Sequence, residues 1–162
     1  MPIDPQYMRE IIMDNYQYPH NHSLSDDKDY HSKHMASDSC IDDITVQAKF
    51  KDGKIEDMRF DGQACTISTA STSILTELVK GKTLEEAKNI IKNYYDMIDQ
   101  KPYDEDVLDE AVAFQTVGNQ ANRINCATIG WRGLKELIDE EEQKEKKASA
   151  SDTAAKDTGK DD

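Results

Sequence analysis

The segment ITVQAKFKDGKIEDMRFD, residues 44–61, sets the fold class of this chain. Apolar and polar side chains alternate over residues 44–50, which is the period of a half-buried β-strand. Asp52-Gly53 is a favoured hairpin turn, and a second strand follows over residues 55–61. Ile55 falls out of phase with the later apolar residues of that strand, so we expect a bulge or a solvent-facing residue near the turn. The segment therefore predicts an antiparallel hairpin.

Patterns with the helical period lie on both sides of this hairpin. Apolar residues recur at intervals of three and four over residues 7–16, 67–78 and 83–98, and a capping box opens the third of these helices. Two further helical patterns cover about residues 104–115 and residues 126–138. This order of elements predicts an α+β fold in which a small antiparallel sheet packs against several helices.

Residues 19–39 show no regular period and are rich in polar side chains. We expect a long loop there, with room for one edge strand. The loop holds every histidine of the chain, and these side chains could build a second metal site. Scattered histidines in a polar loop are more commonly just solvated, and both interpretations stay open for His20, His22, His31 and His34.

The formal net charge of −13 restricts the class of partner. The 33 acidic residues outnumber the 20 basic ones and are spread along the whole chain, so the protein would repel a phosphate backbone. We therefore expect no nucleic-acid partner. A basic protein surface is the partner class that this charge favours.

The length of 162 residues fits one domain with its own hydrophobic core. We assign this domain to residues 1–139. Residues 140–162 are charged and end in a stretch of small polar side chains, so we expect a disordered tail. No apolar run approaches roughly 18 residues, and the first residues lack a signal-peptide core, which predicts a cytoplasmic protein that does not span a membrane.

Three cysteines, Cys40, Cys65 and Cys126, and the nearby Asp42 form the one set of residues that points to chemistry. An odd number of cysteines argues against a disulfide framework, whereas three thiolates and a carboxylate complete a tetrahedral zinc site. The competing interpretation is that each cysteine is a small buried apolar residue, which is the commoner role of a lone cysteine.

The predicted hairpin brings three of these residues together. Cys40 and Asp42 are two apart, so in extended backbone their side chains project to the same side. Cys65 follows the second strand, and a hairpin returns the chain to its starting end. Asp43 could be the carboxylate ligand instead, but the spacing from Cys40 favours Asp42.

Cys126 cannot be placed by this argument because about sixty residues separate it from Cys65. Its predicted position at the start of a helix is the one sign that it belongs to the site, since a helix N-terminus favours thiolate over thiol. Arg123, one turn earlier, would add positive charge there, although a solvated charge at a helix end explains it equally well.

The sequence around the cysteines resembles a known family. The motifs are CID at residues 40–42, DGQACTISTAS at residues 61–71 and RINCAT at residues 123–128. They are similar to the SufU branch of the iron–sulfur scaffold superfamily, which also contains IscU and the N-terminal domain of NifU. The resemblance covers about residues 5–137. Asn125 and the extra helical segment before Cys126 favour the SufU branch over the IscU branch.

The resemblance implies a SufU/IscU-like fold and a zinc site made by Cys40, Asp42, Cys65 and Cys126. It further implies docking onto a SufS-type cysteine desulfurase, with Cys40 accepting the persulfide sulfur and Arg123 assisting, for delivery to downstream iron–sulfur assembly proteins. The chain would then be a zinc-dependent sulfurtransferase. The alternatives are a scaffold that assembles and transfers iron–sulfur clusters with the same thiolates, and a zinc-bound structural or binding module.

Two positions depart from the family pattern. Ile41 and Ala64 stand where the family usually has glycine. If the backbone there needs a positive φ, we expect the two loops to be rebuilt or strained by roughly 1–3 kcal/mol.

Overall fold

The computed structural model of the chain describes residues 4–36 and 41–161, with side chains through residue 147. An antiparallel sheet and the helices that cover it enclose the core, which agrees with the predicted α+β class. The elements in chain order are α1 (Pro5–Gln17), β1 (Tyr30–Ala36), β2 (Asp43–Lys51), β3 (Lys54–Gln63), α2 (Thr66–Val79), α3 (Leu84–Ile98), the 3₁₀ turns Glu105–Val107, Asp109–Phe114 and Val117–Asn119, and α4 (Ala121–Asp161).

The strands of the described sheet are antiparallel in the order β1-β2-β3. The predicted hairpin is confirmed as β2 and β3, and Asp52 and Gly53 adopt positive φ in the turn. Lys49 lies opposite Asp57 while the next residue of β2 lies opposite Ile55, so Glu56 is bulged out of the ladder. The predicted bulge near the turn is therefore confirmed, and it allows Ile55 to be fully buried.

α2 is the central helix of the described fold. It packs against α1, α4 and β3, and small side chains such as Ala70 and Ser71 let these neighbours approach closely. α3 begins at the predicted capping box, in which Thr83 and Glu86 each accept the other's backbone N–H. Trp131 of α4 is fully buried in the core.

Two helix predictions differ from the structure. Residues 104–115 form short 3₁₀ turns, because Asp109 has a φ of 47° and a left-handed residue cannot continue an α-helix. α4 begins at Ala121 and not near Cys126, so Cys126 lies in its second turn and its predicted place at a helix N-terminus is wrong. β1 lies within the predicted long loop of residues 19–39, and it is the one edge strand that the prediction included.

α4 continues past residue 139 through the segment predicted to be a disordered tail. Glu140 pairs with Lys33, Glu141 lies 3.9 Å from His31, and Glu142 lies 2.6 Å from Lys88. These partly exposed ion pairs each contribute at most about 1 kcal/mol. The domain boundary at residue 139 and the disorder of residues 140–162 stay predictions. Within the described residues, no helix is both long and apolar enough to cross a membrane.

Candidate metal centre

Asp42, Cys65 and Cys126 come together from three elements of the fold. Asp42 lies just before β2, Cys65 is the N-cap of α2, and Cys126 lies in α4. One carboxylate oxygen and the two Sγ atoms all lie within 4.8 Å of one another. Asp42 is 1% exposed and Cys126 is 6% exposed, so this acid and this thiol are held inside the protein. Cys40, the predicted fourth ligand and sulfur acceptor, lies outside the described residues.

The donor set and its spacing fit a zinc ion. A tetrahedral ion with Zn–S bonds of about 2.3 Å places two sulfur ligands about 3.8 Å apart. The three ligand atoms therefore need to move together by no more than about 1 Å. Two thiols and a carboxylate are ligands that zinc accepts, and thiolates equally suit iron–sulfur clusters.

Two hydrogen bonds to the same oxygen orient the Asp42 carboxylate. The backbone N–H of Cys65 donates to Oδ1 at 2.9 Å, and the Ser68 hydroxyl donates to Oδ1 at 2.6 Å. The other oxygen, Oδ2, lies 4.0 Å from the Cys65 sulfur. Ser68 is part of the motif at residues 61–71, and that motif alone does not assign it a role. The Cys-x-x-Ser spacing at a helix start, which matches an N-cap and its third helical residue, could have identified it.

Cys65 is held in extended backbone at the first turn of α2. Its Sγ accepts the backbone N–H of Ser68 at 3.4 Å and lies 3.3 Å from the Ser68 hydroxyl. This backbone N–H and the positive end of the helix dipole face the sulfur. The site thus opposes its own acidic charge with backbone dipoles.

Two glycines permit the close approaches that form the site. Gly62 has a φ of 125°, and a Cβ there would lie 2.4 Å from the Asp43 carbonyl oxygen. Gly130 lies one turn after Cys126, where a Cβ would lie 2.4 Å from the Thr72 hydroxyl oxygen. α4 can therefore approach α2 closely enough to bring Cys126 beside Cys65.

The strain expected at Ala64 is absent. Among the described residues other than glycine, positive φ occurs elsewhere, at Asn21, Asp52, Gln100 and Asp109. The replacement of glycine by Ala64 therefore needs no left-handed backbone, and the expectation for the backbone at Ile41 stays a prediction. Ile41 is 59% exposed beside the buried Asp42.

The remaining candidate residues in the described part of the chain do not belong to this group of three ligands. Asp43, the alternative carboxylate, is exposed and pairs with His34. Arg123 is exposed in the first turn of α4, three residues before Cys126. The histidines contact separate carboxylates, and no histidine joins a group of three or more ligands in the described residues. The other contacts are His20 with Glu77, His22 with Asp61 and His31 with Glu141.

The model of the NifU-like N-terminal domain family matches residues 6–148, which is most of the chain and spans the whole Asp42, Cys65 and Cys126 cluster. The chain belongs to this family. The family resemblance and the SufU/IscU-like fold predicted from the three motifs are therefore confirmed, and the chain is a member of an iron–sulfur cluster assembly family.

The matches to individual relatives also cover most of the length of each relative. The chain is 36% identical over 135 residues to the zinc-dependent sulfurtransferase SufU of Bacillus subtilis, spanning 83% of this chain and 90% of that protein. It is 36% identical to the iron–sulfur cluster assembly scaffold protein IscU of Streptococcus pyogenes, over 79% of this chain and 80% of that protein. A crystal structure from Fervidobacterium islandicum, described as an iron–sulfur cluster assembly scaffold for the SUF system, superposes with a TM-score of 0.72 at 32% identity, over 80% of this chain and 94% of that one.

Proposed function

We propose that this protein is a zinc-dependent sulfurtransferase that accepts persulfide sulfur from a SufS-type cysteine desulfurase and passes it to downstream iron–sulfur assembly proteins. The observation that carries the proposal is the convergence of Asp42, Cys65 and Cys126, whose ligand atoms lie within 4.8 Å of one another. The 36% identity to a relative named as a zinc-dependent sulfurtransferase supports the choice of zinc and of sulfur transfer.

Cys40 completes the proposed ligand set. The covalent chain limits its Cα to within about 7 Å of the Asp42 Cα, because each residue spans at most about 3.6 Å. When bound, zinc would keep its sulfur ligands deprotonated and hold them in one site. Asp42 is the one oxygen donor among three sulfur donors, which makes its bond to a borderline-soft ion the easiest to exchange.

The proposed chemistry is thiol exchange at Cys40. The Cys40 thiolate attacks the terminal sulfur of the desulfurase persulfide, so a new S–S bond forms on Cys40. The S–S bond of the donor breaks in the same step, and the desulfurase cysteine leaves as a thiolate. No oxidant or reductant is consumed. The chemistry therefore needs only a reachable thiolate and a docked partner.

Desulfurase stimulation tests this proposal. We expect Cys40→Ser to abolish stimulation of a cognate desulfurase, measured as alanine release from cysteine with a reductant present, because serine cannot accept the sulfur. Arg123→Ala should reduce stimulation only in part, since an exposed guanidinium can assist docking or favour a thiolate but is not a nucleophile. Equal stimulation by wild-type protein and Cys40→Ser would refute the acceptor role.

A second candidate function is a scaffold that assembles and transfers iron–sulfur clusters. The relatives named as scaffolds favour it, and the same thiolates can bind iron and sulfide. Metal analysis of protein purified without air separates the two candidates. One zinc ion per chain and no visible chromophore supports sulfur transfer, whereas a brown protein with iron and sulfide, together with failure to stimulate any desulfurase, supports the scaffold.

A further inference from the structure

We infer that Ser68 is a positioning residue that makes Asp42 bind the metal through Oδ2. This inference rests on the zinc site of the proposed function. It concerns a side chain that lies outside the set of metal ligands. Ser68 is fully buried in the first turn of α2, directly beside Asp42 and Cys65.

The geometry gives the single Ser68 hydroxyl proton a preferred acceptor. The hydroxyl oxygen lies 2.6 Å from Asp42 Oδ1, 3.2 Å from the Cys65 carbonyl oxygen and 3.3 Å from the Cys65 sulfur. The shortest of these contacts is to the acid, and a hydrogen bond to a carboxylate is stronger than one to a neutral carbonyl. Ser68 therefore donates to Oδ1.

The second bond to Oδ1 fixes the plane of the carboxylate. The Cys65 backbone N–H reaches Oδ1 from the start of α2 while Ser68 reaches it from one turn later. Two donors on Oδ1 use its lone pairs and resist rotation of the group. Oδ2 lies 4.0 Å from the sulfur of Cys65, which is one of the proposed ligands. In the inferred arrangement Oδ1 keeps its two protein donors while Oδ2 binds the ion.

Removal of this hydroxyl should weaken metal binding. Loss of a hydrogen bond behind a metal ligand typically costs about 10- to 100-fold in affinity. We expect Ser68→Ala to lower zinc affinity by that factor, measured by competition with a chromogenic zinc indicator. Cobalt substitution gives a second readout. The cobalt ligand-field bands should shift in Ser68→Ala because the carboxylate can then turn and present either oxygen.

Ser73→Ala is the matched control. Ser73 is also fully buried in α2, but its hydroxyl bonds to Asn15 and to the His20 backbone N–H, away from the ligands. We expect Ser73→Ala to lower thermal stability while zinc affinity and the cobalt spectrum stay at wild-type values. Wild-type affinity in Ser68→Ala, or equal loss of affinity in both variants, would overturn the positioning role.

Asp42→Asn tests the same inference if Ser68→Ala fails to fold. The amide oxygen can take the place of Oδ1 and accept both hydrogen bonds, while the amide NH₂ takes the place of Oδ2 and cannot bind a cation. We expect the metal-free variant to fold and to bind zinc at least 10-fold more weakly than the wild-type protein. Wild-type zinc affinity in Asp42→Asn would refute ligation through Oδ2. Wild-type protein that retains no zinc would instead refute the proposed function, and the role of Ser68 with it.

Discussion

Two buried serines on α2, Ser68 and Ser71, lie about one helical turn apart and organise clusters of different chemistry. Ser71 donates to the Ala127 carbonyl oxygen at 2.7 Å and accepts the indole N–H of Trp131 at 2.8 Å. The Tyr94 hydroxyl donates to the same carbonyl oxygen at 2.7 Å. The ring of Tyr94 stacks on Trp131 with centroids 3.6 Å apart. This second cluster, defined by Ser71, Tyr94, Ala127 and Trp131, is neutral.

The Ser71 cluster is uncharged near neutral pH. A tyrosine phenol has an ordinary pKa of about 10, and desolvation raises the pKa of Tyr94 well above that value. The hydroxyls of Ser71 and Tyr94 and the indole N–H of Trp131 are bonded within the cluster. Such a network specifies how α2, α3 and α4 pack and needs no ligand.

The Ser68 cluster has the opposite character. It collects a carboxylate and two thiols within 4.8 Å at the end of the same helix. Concentrating acidic groups inside a protein is costly unless hydrogen bonds, opposite charges or a metal offset their desolvation. Both clusters are buried and both contain a serine hydroxyl. The Ser68 cluster also holds groups that can ionise and bind a metal, whereas the Ser71 cluster holds none and serves packing.

Removal of the metal should have the largest effect on stability, and this effect should come from the Ser68 cluster alone. We expect a strong chelator to lower the melting temperature markedly, because binding to a closed zinc site stabilises a fold by on the order of 10 kcal/mol. Differential scanning calorimetry with and without chelator measures this shift. An unchanged transition after verified loss of zinc would show that the Ser68 cluster is, like the Ser71 cluster, complete without a ligand.

The two neighbouring carboxylates give the next largest contrast. Asp42→Ala removes a proposed ligand, so its loss of zinc affinity should exceed the roughly 10- to 100-fold cost of losing an outer hydrogen bond. Asp43→Ala should leave zinc affinity unchanged, because Asp43 is exposed and paired with His34. Indicator competition measures both variants, and a larger loss in Asp43→Ala would reverse the choice of ligand.

Much of the fold follows from sequence patterns, and the exceptions have physical causes. The hairpin and α3 carry strong local signals in their alternation, turn and capping box. β1 shows no apolar alternation because this edge strand is only partly buried and is mostly polar. The 3₁₀ turns at residues 105–114 give the same sequence pattern as an α-helix, because both structures place residues i and i+3 on one side.

Part of the candidate site also follows from the sequence, and part of it does not. Asp42 and Cys65 meet because the two strands of a hairpin end together, and that follows from local sequence. Cys126 reaches them only through the packing of α4 on α2, which no local pattern across about sixty residues describes. The Cys-x-x-Ser spacing distinguishes Ser68 from Ser71 and Ser73, but spacing alone does not show that its hydroxyl meets Oδ1 of Asp42.

Ser71→Ala should weaken packing without changing metal binding. The substitution leaves the buried indole N–H of Trp131 without its acceptor, and an unsatisfied buried donor costs about 1–3 kcal/mol. We expect urea denaturation of the zinc-bound variant to show this loss while zinc affinity stays at the wild-type value. A parallel fall in zinc affinity would mean that the two clusters are coupled through α2.

Deletion of residues 148–162 should have the smallest effect, because this segment lies apart from both clusters in sequence and holds no apolar side chain larger than alanine. A small polar tail buries little surface, and substitutions away from a core usually change stability by less than about 0.5 kcal/mol. We expect unchanged melting temperature, zinc content and desulfurase stimulation.

Deletion of residues 148–162 keeps Glu140, Glu141 and Glu142, whose ion pairs join this part of α4 to the rest of the domain. A second truncation at residue 139 removes those pairs, so a loss confined to the longer deletion would move the domain boundary past residue 142. A loss already present in the shorter deletion would show that residues 148–162 stabilise the fold and are not a dispensable tail.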